Sequence, residues 1–507
     1  MSRADPIRRI VVVGGGTAGW ITAGVLAARF PQRGPDGISV TLIESRTQPP
    51  IGVGEGTWPT IRSTLKQIGV TETDFLRECE ASFKQGSKFV GWVDGSSTDA
   101  YYHPFTLPID YIERNLAPYW LEGPRTTSFA DSLCFQTRLC DHSLAPKQIT
   151  TPEYAGVANY AYHLDAGKFV PFLQKHCVDK LGVTHVLDDI QGVAANDAGG
   201  ISQLLTKSGT PLPGDLFIDC SGFAALLIGR HFDVPFISCK DTLFIDKALA
   251  VQVPYETEEA PIASVTLSTA QSAGWIWDIG LNARRGVGYV YSSNHTTEEQ
   301  AAGELRSYLQ RNDLSYRSIS INSGYRREFW VGNCVAVGLS AGFLEPLEAS
   351  AIVMIELSAK SIAELLPGFR GGLPQAARIF NEMFQHRWRR IVEFLKLHYV
   401  LSKRTEPFWA DNRRAAQIVP DYWRQHSPWH EDFSHREEVF SAASFQYVLY
   451  GMGFEPEPMP WLLNDTDRAR AREKMAEAAR HGANLQAALP TNRDLLSRIR
   501  KYGLQKI

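Results

Sequence analysis

A glycine-rich turn near the N-terminus constrains the fold of this chain more than any other feature. The turn runs from Gly14 to Gly19 and has the pattern G-x-G-x-x-G. An apolar, β-branched run at residues 9–13 precedes it, and small residues at 17–30 follow it. In a strand–turn–helix unit, Gly14 permits the tight turn, Gly16 lets a pyrophosphate approach the backbone, and Gly19 allows close packing of helix on strand. We therefore predict a βαβ unit that binds a dinucleotide.

The second strand of this unit is predicted at residues 39–44 and ends in an acid. There, the Glu44 carboxylate can accept hydrogen bonds from both hydroxyls of a ribose, which suits FAD and NAD equally. Two later segments, residues 214–222 and residues 333–342, each run from a strand into a turn of small residues. The first could equally be an ordinary strand end, and the second leads into a predicted helix start. Because two such strand ends favour the larger cofactor, we expect FAD.

Composition argues against several classes of protein. Lys and Arg number 52 and Asp and Glu 55, which gives a net charge of −3 with both signs scattered, so we expect no nucleic-acid partner. The seven cysteines include no C-x-x-C pair, and we expect neither a disulfide framework nor a metal site. Glycines interrupt the apolar run at residues 10–30, which therefore reads as strand, turn and helix rather than as an export or membrane segment. We expect a cytoplasmic protein with no membrane partner.

Hydrophobic periodicity predicts an α/β fold. Apolar residues alternate with polar ones within residues 263–292, which predicts an antiparallel sheet inserted into the βαβ frame, and helical spacing recurs at residues 350–366 and 376–398. Residues 465–479 are rich in Arg, Glu and Ala and predict a surface helix in a mostly helical C-terminal region. The predicted division is an FAD-binding core over residues 1–400, with substrate-side segments at about 85–165 and 240–325, and a helical C-terminal region over 401–507 packed on that core.

Three further motifs follow the glycine turn in a fixed order. Residues 52–59 read Gly-Val-Gly-Glu-Gly-Thr-Trp-Pro and are followed by residues 82–89, Ser-Phe-Lys-Gln-Gly-Ser-Lys-Phe. Residues 274–279 read Gly-Trp-Ile-Trp-Asp-Ile, and residues 343–352 read Phe-Leu-Glu-Pro-Leu-Glu-Ala-Ser-Ala-Ile. Together they make the chain resemble the flavin-dependent halogenases of the tryptophan halogenase family. The resemblance implies an FAD-binding domain of flavin monooxygenase type, in which reduced FAD, O2 and chloride or bromide form hypohalous acid. This oxidant would then halogenate an electron-rich aromatic such as indole or tryptophan.

The resemblance implies two catalytic side chains. Lys84 matches the lysine that hydrogen-bonds hypohalous acid, or carries its halogen, and directs it at one ring carbon. Glu348 matches the active-site glutamate, which could take the proton lost from the ring or polarise the oxidant. From the residues alone, Lys84 could equally be an exposed helix lysine, as Lys88 one turn further suggests, and Glu348 could be an acid at a helix N-terminus.

The resemblance also implies a halide site and a barrier. The backbone N–H groups of Ser350 and Ala351 correspond to halide donors at a helix start. Trp275 and Trp277 lie two apart on a predicted strand and so share one face, where they would separate the flavin from the substrate. Paired aromatics on a strand are more often ordinary core.

Substrate identity is less constrained. His103 and Phe105 fall where the family places residues that line the substrate cavity, although the loop could merely pack. Residues 444–453 do not match the lid by which family members that act on tryptophan hold the amino acid. The motifs also depart from the family pattern, with Gly280 where proline is usual and Ala349 to Ala351 where Ser-Thr-Gly is usual. We therefore expect indole or another electron-rich aromatic, with free tryptophan less certain.

The cofactor would be bound across several segments. Because no second dinucleotide motif for NADH is evident, we expect a separate flavin reductase to supply reduced FAD. The alternatives are an FAD-dependent aromatic monooxygenase without halide chemistry and an inactive flavin-binding protein, and the matched Lys, Glu and Trp residues disfavour both. The residues expected to contact FAD are Gly14, Gly16, Thr17, Ala18, Gly19, Glu44, Val53, Gly54, Val193, Leu339 and Ile352.

Overall fold

The computed structural model describes residues 5–31, 37–46, 54–197, 199–414, 438–457 and 463–506. Within these ranges the chain has an α/β architecture with several mixed sheets. The strands are β1 Arg9–Val13, β2 Ser39–Glu44, β3 Gly54–Gly56, β4 Ser82–Lys84, β5 Gly86–Val90, β6 Ala100–Pro104, β7 Ala161–Asp165, β8 Thr184–Leu187, β9 Ile190–Ala195, β10 Ile201–Thr206, β11 Leu212–Pro213, β12 Leu216–Asp219, β13 Phe236–Ser238, β14 Lys247–Pro254, β15 Thr266–Gln271, β16 Gly274–Gly280, β17 Arg284–Tyr291, β18 Arg317–Ser320, β19 Gly324–Arg326, β20 Trp330–Val331, β21 Cys334–Ala336 and β22 Gly342–Phe343.

Helices cover much of the rest of the described chain, and short 3₁₀ turns lie at Gly222–Ala224, Gly338–Ser340, Leu347–Ala349 and Arg370–Gly372. The α-helices are α1 Thr17–Arg29, α2 Thr60–Gln67, α3 Glu72–Glu78, α4 Ala117–Glu122, α5 Phe129–Leu133, α6 Gln136–Asp141, α7 Ala166–Leu181, α8 Glu298–Leu309, α9 Ser350–Leu365, α10 Leu373–Val400, α11 Pro407–Arg414, α12 Ala442–Gly451, α13 Asp465–Ala488 and α14 Asn492–Tyr502.

A six-stranded sheet in the order β20-β21-β12-β1-β2-β8 forms the frame of the first half of the fold. Its strands from β21 to β8 are parallel, and only β20 pairs antiparallel. Strand β1 lies at the centre, and its residues 10–13 are apolar and buried, so both faces of the strand are covered. In register, Val13 lies opposite both Ile43 and Asp219, so the carboxyl ends of β1, β2 and β12 meet at one edge.

A seven-stranded sheet in the order β18-β14-β17-β16-β15-β5-β6 forms the frame of the second half. Its pairs are antiparallel except β5 and β15, which run parallel. A small sheet, β3-β7-β4, lies beside it and pairs Gly56 with His163 and Lys84 with Ala161. Lys84 and His163 therefore lie close together, since a methyl group at Gly56 would be 3.2 Å from Nζ of Lys84 and 3.6 Å from the His163 ring. Two further three-stranded sheets, β11-β10-β9 and β13-β19-β22, complete the strands.

Several sequence expectations hold at residue level. Strands β1 and β2 occupy the predicted ranges, α1 ends at Arg29, and residues 263–292 contain three strands, β15 to β17. One expectation is wrong. Residues 338–340 form a 3₁₀ turn instead of a helix start, because Gly338 has φ +73° and the chain turns there into β22. The surface helix predicted at 465–479 is confirmed and extends further, to Ala488.

The described residues hold neither a membrane-crossing helix nor a cluster of metal ligands. None of their helices combines the length and apolar character needed to cross a bilayer. Nor does any group of three or more His, Cys, Asp or Glu side chains in the described ranges have the arrangement of a metal site.

Candidate active site

The glycine turn after β1 has the shape that a pyrophosphate requires. Gly14 has φ +110°, and a methyl group there would lie 2.2 Å from the Cys220 carbonyl oxygen. A methyl group at Gly19 would lie 1.8 Å from the Gly14 carbonyl oxygen, whereas one at Gly16 would meet nothing within 4 Å. Helix α1 then begins at Thr17 without a side-chain cap and without an acid in its first turn. Free amides therefore face an open space suited to an anionic group.

Glu44 ends β2 beside this turn. Its Oε1 accepts a hydrogen bond from Nε2 of His185 at 2.8 Å, and its carboxylate lies so close to Gly15 that a side chain there would collide with it. Sequence analysis did not identify His185, because only the pairing of β2 with β8 brings it to this position. The carboxylate is partly exposed and keeps lone pairs for a ribose.

The second predicted nucleotide segment meets the first. A methyl group at Gly338 would lie 2.6 Å from Cβ of Ala18, so the 3₁₀ turn that holds Leu339 touches the start of α1. The Ser340 hydroxyl donates to the Asp219 carbonyl, which joins this turn to the end of β12.

The other expected FAD residues lie in different elements. Ile352 is buried in the first turn of α9, and Gly54 begins β3. Val193 lies in β9 of a separate three-stranded sheet, opposite Leu204. Val53 lies outside the described residues.

Lys84 lies in β4 and is 1% exposed. The alternative of an exposed helix lysine is therefore wrong, since pairing with β7 makes residues 82–84 a strand. Its Nζ is 5.3 Å from the centre of the Phe105 ring and would be 3.2 Å from a methyl group at Gly56. Burial lowers the pKa of the Lys84 ammonium to about 8, and the negative charge of Glu348 opposes this shift. Glu348 thus acts on Lys84 through space.

Glu348 lies in the 3₁₀ turn before α9 and is buried. Its Oε1 is 2.8 Å from Nδ1 of His103 and 3.5 Å from Nε2 of His398, and the other ring nitrogen of His398 is 2.7 Å from the Tyr101 hydroxyl. Burial alone would raise the pKa of Glu348, but the charge and hydrogen bond of His103, followed by His398 and Lys84, lower it below its usual value. The carboxylate is therefore held ionised in a dry environment.

Aromatic rings surround this pair of charged groups. The ring of Trp58 lies 5.8 Å from His103, 5.3 Å from Phe105 and 5.2 Å from Phe440 between centres. Phe440 in turn stacks on Phe394 at 3.9 Å. We call this cluster of five aromatic side chains, Trp58, His103, Phe105, Phe394 and Phe440, the arene chamber. Sequence analysis selected only His103 and Phe105 among them, because nothing local distinguishes the other three from core aromatics.

The expected halide position lies at the start of α9. The helix begins at Ser350, has no side-chain cap and carries no acid in its first turn, so the amides of Ser350 and Ala351 have no partner in the first turn of their own helix. Glu348 and Ala349, immediately before it, have φ of +62° and +53°. Two successive left-handed residues thus turn the chain sharply into the helix.

The two expected barrier residues lie on β16. Trp275 is buried against Trp92, with ring centres 6.0 Å apart. Trp277 is partly buried and covers Gly288 of the neighbouring strand, where a methyl group would lie 2.1 Å from its ring. Residues two apart on a strand point to the same side, as expected.

A nucleotide-type glycine turn on a parallel sheet, together with a dry Lys–Glu–His cluster among aromatic rings, defines an α/β enzyme that combines a nucleotide cofactor with an aromatic substrate. Comparison with known proteins gives the family. The family model described as tryptophan halogenase matches residues 9–467. The chain belongs to the tryptophan halogenase family and is a flavin-dependent halogenase.

Individual relatives resemble the chain along nearly its whole length. A crystal structure of a tryptophan halogenase from Shewanella frigidimarina is 46% identical, with a TM-score of 0.96 and coverage of 99% of both chains. Tryptophan 6-halogenase ThaL from Streptomyces albogriseolus is 32% identical over 97% of this chain and 98% of its own length. BrvH, a flavin-dependent halogenase from Brevundimonas sp. BAL3, is 33% identical, with a TM-score of 0.85 and coverage of 97% of this chain and 99% of its own.

Proposed function

We propose that this halogenase uses reduced FAD, O2 and chloride or bromide to form hypohalous acid, and that it halogenates an electron-rich aromatic such as indole or tryptophan. The observation that carries the proposal is the convergence of Lys84 and Glu348. They are far apart in the sequence, yet a methyl group at Gly56 would lie 3.2 Å from Nζ of Lys84 and 3.5 Å from Cβ of Ala349, the neighbour of Glu348. In keeping with this geometry, the charge of each side chain shifts the pKa of the other. An electrophilic substitution needs a donor that directs the oxidant and a base that removes the ring proton.

The cofactor is assigned to the edge where β1, β2 and β12 end. Gly16 and the amides of Thr17 and Ala18 receive the pyrophosphate, and Glu44 receives the ribose. When bound, the reduced flavin would supply the electrons that activate O2, and O2 would supply the oxidising equivalents that convert halide to hypohalous acid. Contacts from Val53, Gly54, Val193, Leu339 and Ile352 are assigned by resemblance to the family.

The halide and the barrier are assigned next to the cofactor. The amides of Ser350 and Ala351 hold the halide, since free N–H groups at a helix start attract a small anion. Trp275 and Trp277 keep the aromatic substrate away from the flavin, so that only the small oxidant reaches the chamber. The barrier would prevent direct transfer of oxygen to the ring.

Lys84 and Glu348 perform the final transfer. With a pKa of about 8, the Lys84 side chain is mainly an ammonium at neutral pH, and its N–H groups can bind the oxygen of hypohalous acid and aim the halogen. The ionised Glu348 carboxylate accepts the proton that the ring carbon loses. His103 holds this carboxylate in position through its 2.8 Å contact.

The chamber favours a substrate with a flat aromatic ring. Its five described walls, Trp58, His103, Phe105, Phe394 and Phe440, are all aromatic. Rings of this kind recognise a flat arene by stacking and edge contacts. The relative ThaL is named a tryptophan 6-halogenase, so an indole ring is the proposed core of the substrate.

The wider organisation belongs to the same proposal. Residues 1–400 form the FAD-binding core, residues 401–507 pack on it as a helical region, and the substrate-side segments are 85–165 and 240–325. A separate flavin reductase supplies reduced FAD by diffusion. The protein acts in the cytoplasm.

The test is product analysis with matched variants. Wild type, Lys84→Met and Lys88→Met are incubated with FAD, a flavin reductase, NADH, O2 and bromide, and mass spectrometry follows indole and tryptophan. We expect brominated product from wild type and Lys88→Met, and only peroxide from Lys84→Met, with FAD binding retained. NADH without the reductase should give no turnover. A hydroxylated product that forms equally well without halide would overturn the proposal.

A further inference from the structure

Trp58 contacts both the arene chamber and the turn that carries Glu348. It lies between β3 and α2, and its indole Nε1 donates a hydrogen bond of 2.7 Å to the Glu348 carbonyl oxygen. Its ring is the one that touches His103, Phe105 and Phe440 together. One side chain thus joins the wall of the chamber to the backbone of the proposed base.

The backbone that Trp58 holds is strained. Glu348 and Ala349 both adopt the left-handed region, with φ of +62° and +53°, which residues with a Cβ rarely occupy. Such conformations persist only where the surroundings enforce them. Within the turn, the Ala349 amide donates a hydrogen bond of 3.0 Å to the Pro346 carbonyl oxygen. From outside the turn, the Trp58 indole donates to the Glu348 carbonyl oxygen.

Further hydrogen bonds join the segment after Trp58 to the helix after Glu348. The Thr60 hydroxyl donates to the Glu356 carboxyl at 3.1 Å, and the Thr64 hydroxyl also donates to it. Residues 58–64 therefore form hydrogen bonds with residues 348–356 at two points. One is the 3₁₀ turn at Glu348, and the other is Glu356 in the second turn of α9. Between these points lie the amides of Ser350 and Ala351.

We propose that Trp58 is a positioning residue that couples the binding of an arene to the conformation of the turn Leu347–Ala349, which carries Glu348. Its N–H holds the left-handed conformation at Glu348 and Ala349, which aims the carboxylate and starts α9, while its ring forms part of the substrate wall. A substrate ring that packs on Trp58 thereby fixes the turn from which the base and the halide amides project. This inference rests on the proposed function.

Two variants separate the ring from the N–H. Trp58→Phe keeps an aromatic ring but removes the donor, and replacement of Trp58 by 3-benzothienylalanine keeps the ring area and removes only the donor. Since the Glu348 carbonyl then loses a buried partner, we expect kcat for bromination to fall about tenfold or more. We expect KM for indole to change less than about threefold, because the ring wall remains. The apparent KM for bromide should rise, because the start of α9 shifts.

Trp330→Phe is the matched control. The Trp330 indole N–H also donates to a carbonyl oxygen, that of Gly332 at 3.2 Å, but it lies at the edge of the nucleotide sheet. This variant should lose a comparable bond and keep kcat and both KM values. FAD binding and thermal unfolding, measured for every variant, identify one that fails to fold.

A readout without turnover separates this inference from the proposed function. In crystals soaked with bromide, anomalous density at the amides of Ser350 and Ala351 should be strong in wild type and in Trp330→Phe, and weak or displaced in both Trp58 variants. Unchanged kcat, bromide KM and bromide density in the benzothienylalanine variant would overturn the inference. If wild type binds bromide there and the Trp58 variants do not, but wild type halogenates no arene, the proposed function fails and the positioning role stands.

Discussion

Replacement of Lys84 by methionine should stabilise the fold at neutral pH while it abolishes halogenation. Lys84 is 1% exposed, and burial lowers the pKa of its ammonium from 10.5 to about 8 against the attraction of Glu348. Because one pKa unit corresponds to about 1.4 kcal/mol, this difference costs the folded state about 3 kcal/mol at pH 7. Methionine has a similar length and no charge, so it fills the same space without this cost.

The pH dependence gives the effect a distinct signature. The unfolded chain keeps the lysine proton up to pH 10.5 and the folded chain only up to about pH 8, so between these values the unfolded state binds more protons. The stability contributed by Lys84 therefore rises with pH in that window. The cost falls from about 3 kcal/mol at pH 7 to about 1.4 kcal/mol at pH 9.5. The advantage of Lys84→Met should shrink accordingly.

Urea unfolding of the FAD-free protein at pH 7 and pH 9.5 measures both values. Lys88→Met is the control, since the Lys88 side chain is 27% exposed and its ammonium pairs with Asp141 at 2.8 Å near the surface. That variant should stay within about 0.5 kcal/mol of wild type at both pH values. The reasoning is refuted if Lys84→Met is less stable than wild type at pH 7, or if its advantage does not change with pH.

Three further outcomes are expected. Gly16→Ala should weaken FAD binding in a fluorescence titration and leave the apo melting temperature unchanged, whereas Gly19→Ala should lower that temperature because its methyl group would lie 1.8 Å from a carbonyl oxygen. Equal effects of the two changes would contradict the assigned pyrophosphate site. Lys147→Met should cost about 3–5 kcal/mol in urea unfolding, since it leaves Glu72 buried and unpaired, and adding Glu72→Gln should recover part of the loss; an additive double variant would argue against the pair. Burial raises the pKa of Glu356 to about 8, so stability should fall more steeply from about pH 5 to pH 8 in wild type than in Glu356→Gln; an equal pH dependence of the two melting temperatures would exclude this shift.

Local sequence signals predicted the nucleotide half of the fold well. The unit β1–α1–β2 combines an apolar run, a glycine turn and an acid at short range, and its elements lie within one residue of their predicted ends. Residues 82–90 have no clear period, and only pairing of β4 with β7 and of β5 with β15 makes them strands. The family motif at residues 82–89 identified Lys84 as a candidate. No local sequence signal predicted that Lys84 lies in a strand or that it is buried.

The walls of the arene chamber could not be predicted in the same way. Phe394 lies in α10 and Phe440 just before α12, and each reads as ordinary core in the sequence. His398 contacts Glu348 because tertiary packing brings α10 next to the turn at residues 347–349. These contacts depend on tertiary packing between distant segments, which no periodicity within one segment records.

Helix α10 also limits how this enzyme can be recombined with its relatives. It spans 28 residues, or about 42 Å. In the first half of the helix, the side-chain oxygen of Asn381 accepts hydrogen bonds from the backbone amides of Phe329 and Trp330. At the far end, the Tyr399 hydroxyl donates a hydrogen bond to the Glu345 carboxyl group. A single residue inserted in the helix would rotate the part that follows it by about 100°. His398 and Tyr399 in the last turn would then lose their contacts with Glu348 and Glu345. Chimaeras that exchange C-terminal regions to change substrate range should therefore join the parents after Val400, so that the whole helix comes from one parent.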